Sequence, residues 1–102
     1  MKTWKSTELS VHPASWEMAD SDRQPFGFDA EEAITGATAE LIRLDTRQEE
    51  GTLEGPSISG NIATFTVSGL TRDRVYELSV TFTAAAAGNR RWTRTLVIPC
   101  VA

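Results

Sequence analysis

A chain of 102 residues, 40% hydrophobic and with a formal net charge of -4, has room for one modest core that hides roughly 60–65 per cent of the unfolded surface, and not for two cores. No apolar run approaches the roughly 18–20 residues of a membrane span, and Met1–Lys5 is followed by polar Ser6, Thr7 and Glu8 rather than an apolar signal core, so folding in the cytosol is expected. Cys100 is the one cysteine and His12 the one histidine, which excludes an intrachain disulfide and any thiolate or imidazole metal cluster.

In chain order, residues 1–6 read as a flexible N-terminal end and residues 7–100 as a single domain. Glu8-Leu9-Ser10-Val11 alternates briefly and His12-Pro13 stops it, because proline lacks the ladder donor, so a short edge strand is expected there. Trp16 and Met18 can face inward together before the polar break Asp20-Ser21-Asp22-Arg23. Phe26 and Phe28 share one side of a short extended piece, which Pro25 and Gly27 assign to an edge or a bulge. Asp29-Ala30-Glu31-Glu32-Ala33 has the composition of one helical turn, too short to stand without tertiary contacts.

Ile34 to Asp45 is the first long strand, with Ala39, Leu41 and Arg43 on one face and Glu40, Ile42 and Leu44 on the other, a mixture that implies burial on both sides near its middle. Thr46 to Gly55 is polar and acidic and reads as an exposed loop or a ragged connecting strand. Pro56–Ser59 is a short strand, and Gly60-Asn61 a hairpin turn into Ile62.

Two long strands follow, joined by the turn Ser68–Arg74. Ala63, Phe65 and Val67 alternate with polar neighbours in the first, and Tyr76, Leu78, Val80 and Phe82 in the second, the two-residue period of a strand with one buried face. Leu70 enters the turn and Tyr76 starts the next strand, a spacing that matches the tyrosine corner of immunoglobulin-like and fibronectin-like sandwiches, where the ring fills the bottom of the core and the hydroxyl returns to loop backbone. Ala84–Arg90 reads as a hairpin loop of small residues. Arg91–Cys100 is the last strand, with Trp92, Leu96, Ile98 and Cys100 on one side. Arg94 shares that side, so either its stem packs while its head reaches solvent, or that end of the strand lies outside the core. The expected fold is an all-β immunoglobulin-like or fibronectin type III-like β-sandwich of about seven strands, with Leu70, Tyr76, Phe65, Val67, Leu78, Val80, Phe82, Leu96 and Ile98 in its core.

No catalytic or cofactor signature accompanies these strands. No nucleophile elbow surrounds Ser10 or Ser15 near His12, and Gly51, Gly55, Gly60 and Gly69 are isolated rather than gathered into a phosphate-binding loop. Asp20, Asp22, Asp29, Glu31 and Glu32 lack the ordered pattern of a calcium loop and read as a solvated acidic segment. The expectation is no enzyme, no cofactor and no metal. Glu17–Glu54 holds eleven acids against Arg23, Arg43 and Arg47, whereas from Gly55 onward there are five arginines and only Asp73 and Glu77. If the halves fold onto different faces, like subunits can dock acidic to basic; if the strands intermix, both signs scatter. Five arginines on an acidic protein make a poor phosphate surface, so nucleic acid is an unlikely partner. Arg72, Arg74, Arg90, Arg91 and Arg94, with Glu49 and Glu50 as acidic counterparts, are better suited to the rim of a protein contact. Trp4 is a candidate intersubunit anchor, or a cover for the protein's own open edge, and Trp16 is a second interface candidate.

The assembled layout resembles a family of small virion proteins of tailed bacteriophages, commonly labelled fiber-tail adaptors. The likeness is carried by His12-Pro13, Phe28-Asp29, Ile34-Thr35-Gly36-Ala37-Thr38, the block Ser59-Gly60-Asn61-Ile62-Ala63-Thr64-Phe65-Thr66-Val67-Ser68-Gly69, Tyr76–Phe82 and Gly88–Ile98; the chain departs from the family in its charged Thr46–Pro56 and in Leu70–Arg74, which lacks the expected glycine or alanine. The resemblance implies a non-enzymatic structural or adaptor protein, made in the bacterial host cytoplasm and built in symmetric copies into the virion. Its implied partners are other phage structural proteins of the tail or head-tail region. The alternative is a host- or carbohydrate-binding module displayed on the particle, which requires exposed rings such as Trp16 or Trp92 beside polar acceptors.

Overall fold

The computed structural model describes residues 2–9, 14–85 and 90–101. Among them are ten strands: β1 (Lys2–Lys5), β2 (Ala14–Ser15), β3 (Met18–Ala19), β4 (Gln24–Asp29), β5 (Ile34–Arg43), β6 (Gln48–Glu49), β7 (Thr52–Ser59), β8 (Ile62–Ser68), β9 (Arg74–Ala84) and β10 (Arg91–Val101). One sheet runs β1-β4-β8-β7, and the other β2-β10-β9-β5-β6 with β3 also on β10. Both sheets are mixed, since β1 lies parallel to β4 and both β2 and β3 parallel to β10. The two face each other across one core, a β-sandwich in the generic sense. The count exceeds the expected seven because β2, β3 and β6 are two-residue pieces.

The core follows from the alternation along three paired strands. Leu41, Leu78 and Leu96 lie side by side across β5, β9 and β10, as do Ala37, Phe82 and Trp92. From the opposite sheet, Phe26 lies beside Phe65 and Phe28 beside Ala63. The nine core residues named from the sequence are all buried, with Tyr76, Leu78, Val80, Leu96 and Ile98 at 0% exposure. Each large apolar side chain removed from water stabilises the fold by about 1.5–3 kcal/mol.

Three segments differ from the sequence reading. Residues 1–6 were expected to be a loose end, yet Lys2–Lys5 pairs with Phe26–Asp29, and Ser6–Leu9 forms a 3-10 turn that takes Glu8 and Leu9 out of the expected edge strand, whose Ser10 and Val11 lie outside the described residues. The reason is the alternation of β1 itself: Trp4 faces the same side as Phe28 and is buried. Second, β4 is internal rather than an edge, lying between β1 and β8. Its proline is tolerated because β1 reaches only as far as Phe26, so Pro25 lies beyond the end of that ladder. No helical turn forms at Asp29–Ala33; instead the Asp29 carboxylate accepts the Glu31 amide proton at 2.8 Å, a short bend into β5.

Third, Thr46–Gly55, read as an exposed loop or a ragged connecting strand, holds the two-residue β6 and then joins the short strand expected at Pro56–Ser59 in one strand, β7, exposed along nearly its whole length. A register shift between Glu54 and Ser57 interrupts its pairing with β8. Gly55 makes the shift possible: its φ is 117°, and a Cβ there would stand 2.7 Å from the Thr64 carbonyl oxygen. The hairpin turn at Gly60-Asn61 joins Ser59 to Ile62, which pair directly. The readings placed on His12-Pro13 and on residues 86–89 lie outside the described residues.

Candidate functional site

The chemistry-bearing side chains fall into two knots and one open edge. At the first knot, Tyr76 is wholly buried while its hydroxyl reaches the loop: the Thr71 amide donates to it at 2.9 Å, and it donates in turn to the Glu50 carboxylate. Arg43 stands 3.6 Å from the other Glu50 oxygen and binds Asp45 through two of its nitrogens. Leu70 is buried beside this assembly, close enough to Gly51 that a Cβ there would meet it at 3.0 Å. Glu50, named from the sequence as an interface acid, is thus committed to the protein's own tyrosine. The two residues are 26 apart in the chain, and no local spacing in the sequence announces the pairing.

The hydrogen bond from Tyr76 chiefly holds the Glu50 carboxyl below the ordinary glutamate range, with the Arg43 charge adding to it against partial desolvation. A depressed folded-state value stabilises the fold above the unfolded glutamate value, near pH 4.3, and that contribution is lost as pH falls through the lower folded value. Urea titrations of wild type and Glu50→Gln should therefore converge on acidification below about pH 4, with the wild type more stable at pH 6. Curves that stay parallel from pH 6 to pH 3 would mean that Glu50 carries no such linkage.

The second knot closes the other end of the sandwich. Ser6 is buried, with its hydroxyl accepting from Trp92 Nε1 at 3.1 Å and its carbonyl from Arg94 Nε at 3.1 Å. Arg94 therefore spends its head on the N-terminal turn rather than on solvent, an arrangement that neither of the two sequence readings offered, because Ser6 reaches it from 88 residues away. Arg90 stacks over the Trp92 ring, 4.5 Å from its centroid, and pairs with Glu32. The Trp92 ring also lies against Phe82, with centroids 5.3 Å apart and the planes tilted by 38°. Trp16 bridges Trp4 and Phe26 in edge-to-face contacts at 6.3 and 6.4 Å. Trp4 is 9% exposed and so covers the chain's own edge; Trp16 and Trp92 are half-buried, and Trp92 lines a shallow depression with Ser6, Glu31, Glu32, Arg90 and Arg94.

The charges intermix. Arg72 lies 3.9 Å from Asp20, Arg47 lies 4.0 Å from Glu77 and Arg90 pairs with Glu32, each joining the two halves of the chain. Arg23–Glu54 and Arg43–Asp45 stay within the acidic half. Among the described residues the three joining pairs set arginines of one half against acids of the other, because neighbouring strands come from both halves. Arg91 and Glu49 are exposed, and Arg74 is half-buried with one guanidinium nitrogen on the Asp73 carbonyl. Among the described residues no three His, Cys, Asp or Glu side chains gather as a metal site, and no helix is long and apolar enough to cross a membrane.

Set beside family models, curated proteins and solved structures, the chain matches none.

What remains open is the edge of β5. Two-residue β6 pairs only with Ile42 and Arg43, and the Glu50 amide reaches the Leu41 carbonyl at 3.4 Å. Gly51, with a φ of 89°, then turns the chain away into β7. Among the described residues, Ile34–Glu40 has a ladder partner on the β9 side only. Two shallow depressions border this edge and share Ala39, Glu40 and Glu49; one continues to Thr38, Ser79 and Thr81, the other to Leu41, Glu50, Gly51 and Leu53.

Proposed function

We propose that this chain is a non-enzymatic assembly module with an immunoglobulin-like fold, serving as a structural or adaptor component of a tailed bacteriophage particle in symmetric copies. The order β1-β4-β8-β7 against β10-β9-β5-β6 supports the fold assignment, since it follows the two-sheet order of an immunoglobulin domain with a strand added beside its third. The Tyr76 hydroxyl bound to backbone upstream of its own strand supports it further. The particle context rests on the resemblance carried by the Ser59–Gly69 block and its flanking strands.

The observation that carries the assembly reading is where the polar chemistry lies. Side chains from both sheets fill the interior, while the uncommitted groups lie on outer faces and strand edges, which suit contacts with other proteins. Electron microscopy of particles purified from the host, with mass spectrometry of the same sample, tests it. Repeated, symmetry-related copies wedged between other virion proteins are the expected result; particles that lack the chain would overturn the particle context.

A further inference from the structure

We propose that the free edge Ile34–Glu40 of β5 takes up an extended segment of another protein, one that alternates basic residues with small apolar ones, as an added strand. This rests on the assembly reading above and names the partner's chemistry. The open edge presents backbone donors and acceptors that β6 would satisfy if it continued, and the turn at Gly51 is what vacates that line.

Strand periodicity dictates what the guest must look like. Thr38 and Glu40 lie in register with Thr81 and Ser79 on the outer face of the sheet, whereas Ala37 and Ala39 lie in register with Phe82 and Val80 on the inner face. Glu49 is paired with Ile42 and so shares the outer face with Glu40. A guest strand therefore has its outward side chains beside Glu40 and Glu49, and its inward ones beside two alanines and, across the seam, Leu53. Both acids are exposed, and neither takes part in the ion pairs of the described residues. Lysine or arginine outward and a small apolar residue inward meets both rows. A second copy meeting antiparallel along the same span, centred on Ala37, would set Glu40 of each beside Ile34 of the other and offer neither Glu40 nor Glu49 an opposite charge, so it suits this edge less than a basic guest.

The other edges are less suited. β7 is long, but its ladder is broken in mid-strand between Glu54 and Ser57 and Pro56 lacks an amide proton, whereas the register shift of β5 lies at its start, between Ile34 and Gly36. β1 has four residues, and β2 and β3 two each.

Titrate the intact protein with a peptide of about ten residues alternating lysine and valine, and follow amide hydrogen exchange. Three controls accompany it: alternating glutamate and valine, the same lysines and valines in two blocks, and the first peptide N-methylated throughout. The expected result is saturable protection confined to Ile34–Glu40, given by the first peptide alone and weakened by salt. Glu40→Lys with Glu49→Lys, both at exposed positions, should lower its affinity about tenfold or more while leaving the thermal midpoint in place. Absence of protection at this edge, or equal binding of the blocked and N-methylated peptides, would overturn the proposal. Protection that grows with protein concentration in the absence of peptide would assign the edge to a second copy and overturn it too. Particle microscopy is scored separately: a chain present in the virion whose edge ignores the peptide sinks this inference alone, and a chain absent from particles that binds the peptide sinks only the particle context.

Discussion

Tyr76→Ala should lower the unfolding free energy by about 3–5 kcal/mol, a large share of the stability of a domain this size. The ring is 0% exposed and stands in register with Ile98 and Arg43 on the inner face of the six-stranded sheet. Its removal opens a cavity between strands that other contacts hold in place, so the gap cannot collapse fully. The hydroxyl adds a smaller amount: Tyr76→Phe keeps the packing but strands the Thr71 amide and frees Glu50, a loss of about 1 kcal/mol. Urea denaturation of the two variants separates ring from hydroxyl. Equal losses would mean that the corner works through its hydrogen bonds alone, and a loss below about 1 kcal/mol for Tyr76→Ala would remove the ring from the core.

Trp4→Ala should cost about 3–5 kcal/mol as well, because the ring closes the edge of the sandwich rather than waiting for a partner. It packs edge-to-face on Trp16, and Lys2 Nζ lies 4.5 Å above it. Trp4→Phe should be far milder. The indole Nε1 is buried and without a hydrogen-bond partner among the described residues, so exchanging the indole for a benzyl ring removes an unsatisfied donor along with some area. Thermal unfolding checks both. An unchanged midpoint for Trp4→Ala would return residues 1–6 to the status of a loose end and free the ring for intersubunit contact.

These two positions also mark how far the chain could be read in one dimension. Tyr76 was legible because β8 and β9 alternate without interruption and a single turn joins them, so the period alone says which side is buried. Trp4 was legible only as one of two alternatives, an intersubunit anchor or a cover for the chain's own edge, because four residues carry too little alternation to choose between them. Its burial depends on β4, whose own internal position was hidden by Pro25 and Gly27. Glu50 and Ser6 were beyond reach for a related reason. Glu50 meets Tyr76 across 26 residues and Ser6 meets Trp92 across 86, and no pattern within either segment refers to the other.

By itself the sequence determined that the chain is all-β and which residues of its long strands face inward, because a strand's sidedness is written in its local two-residue period. Only the tertiary structure decided how strands from the two halves interleave, and hence that arginines of one half meet acids of the other. It also decided that the N-terminal segment packs against Trp92 and Arg94 and that, among the described residues, Ile34–Glu40 has a strand partner on one side only. Pairing between strands is a property of segments far apart in the chain, and the energy that selects it comes from faces that exist only once the sheets have met.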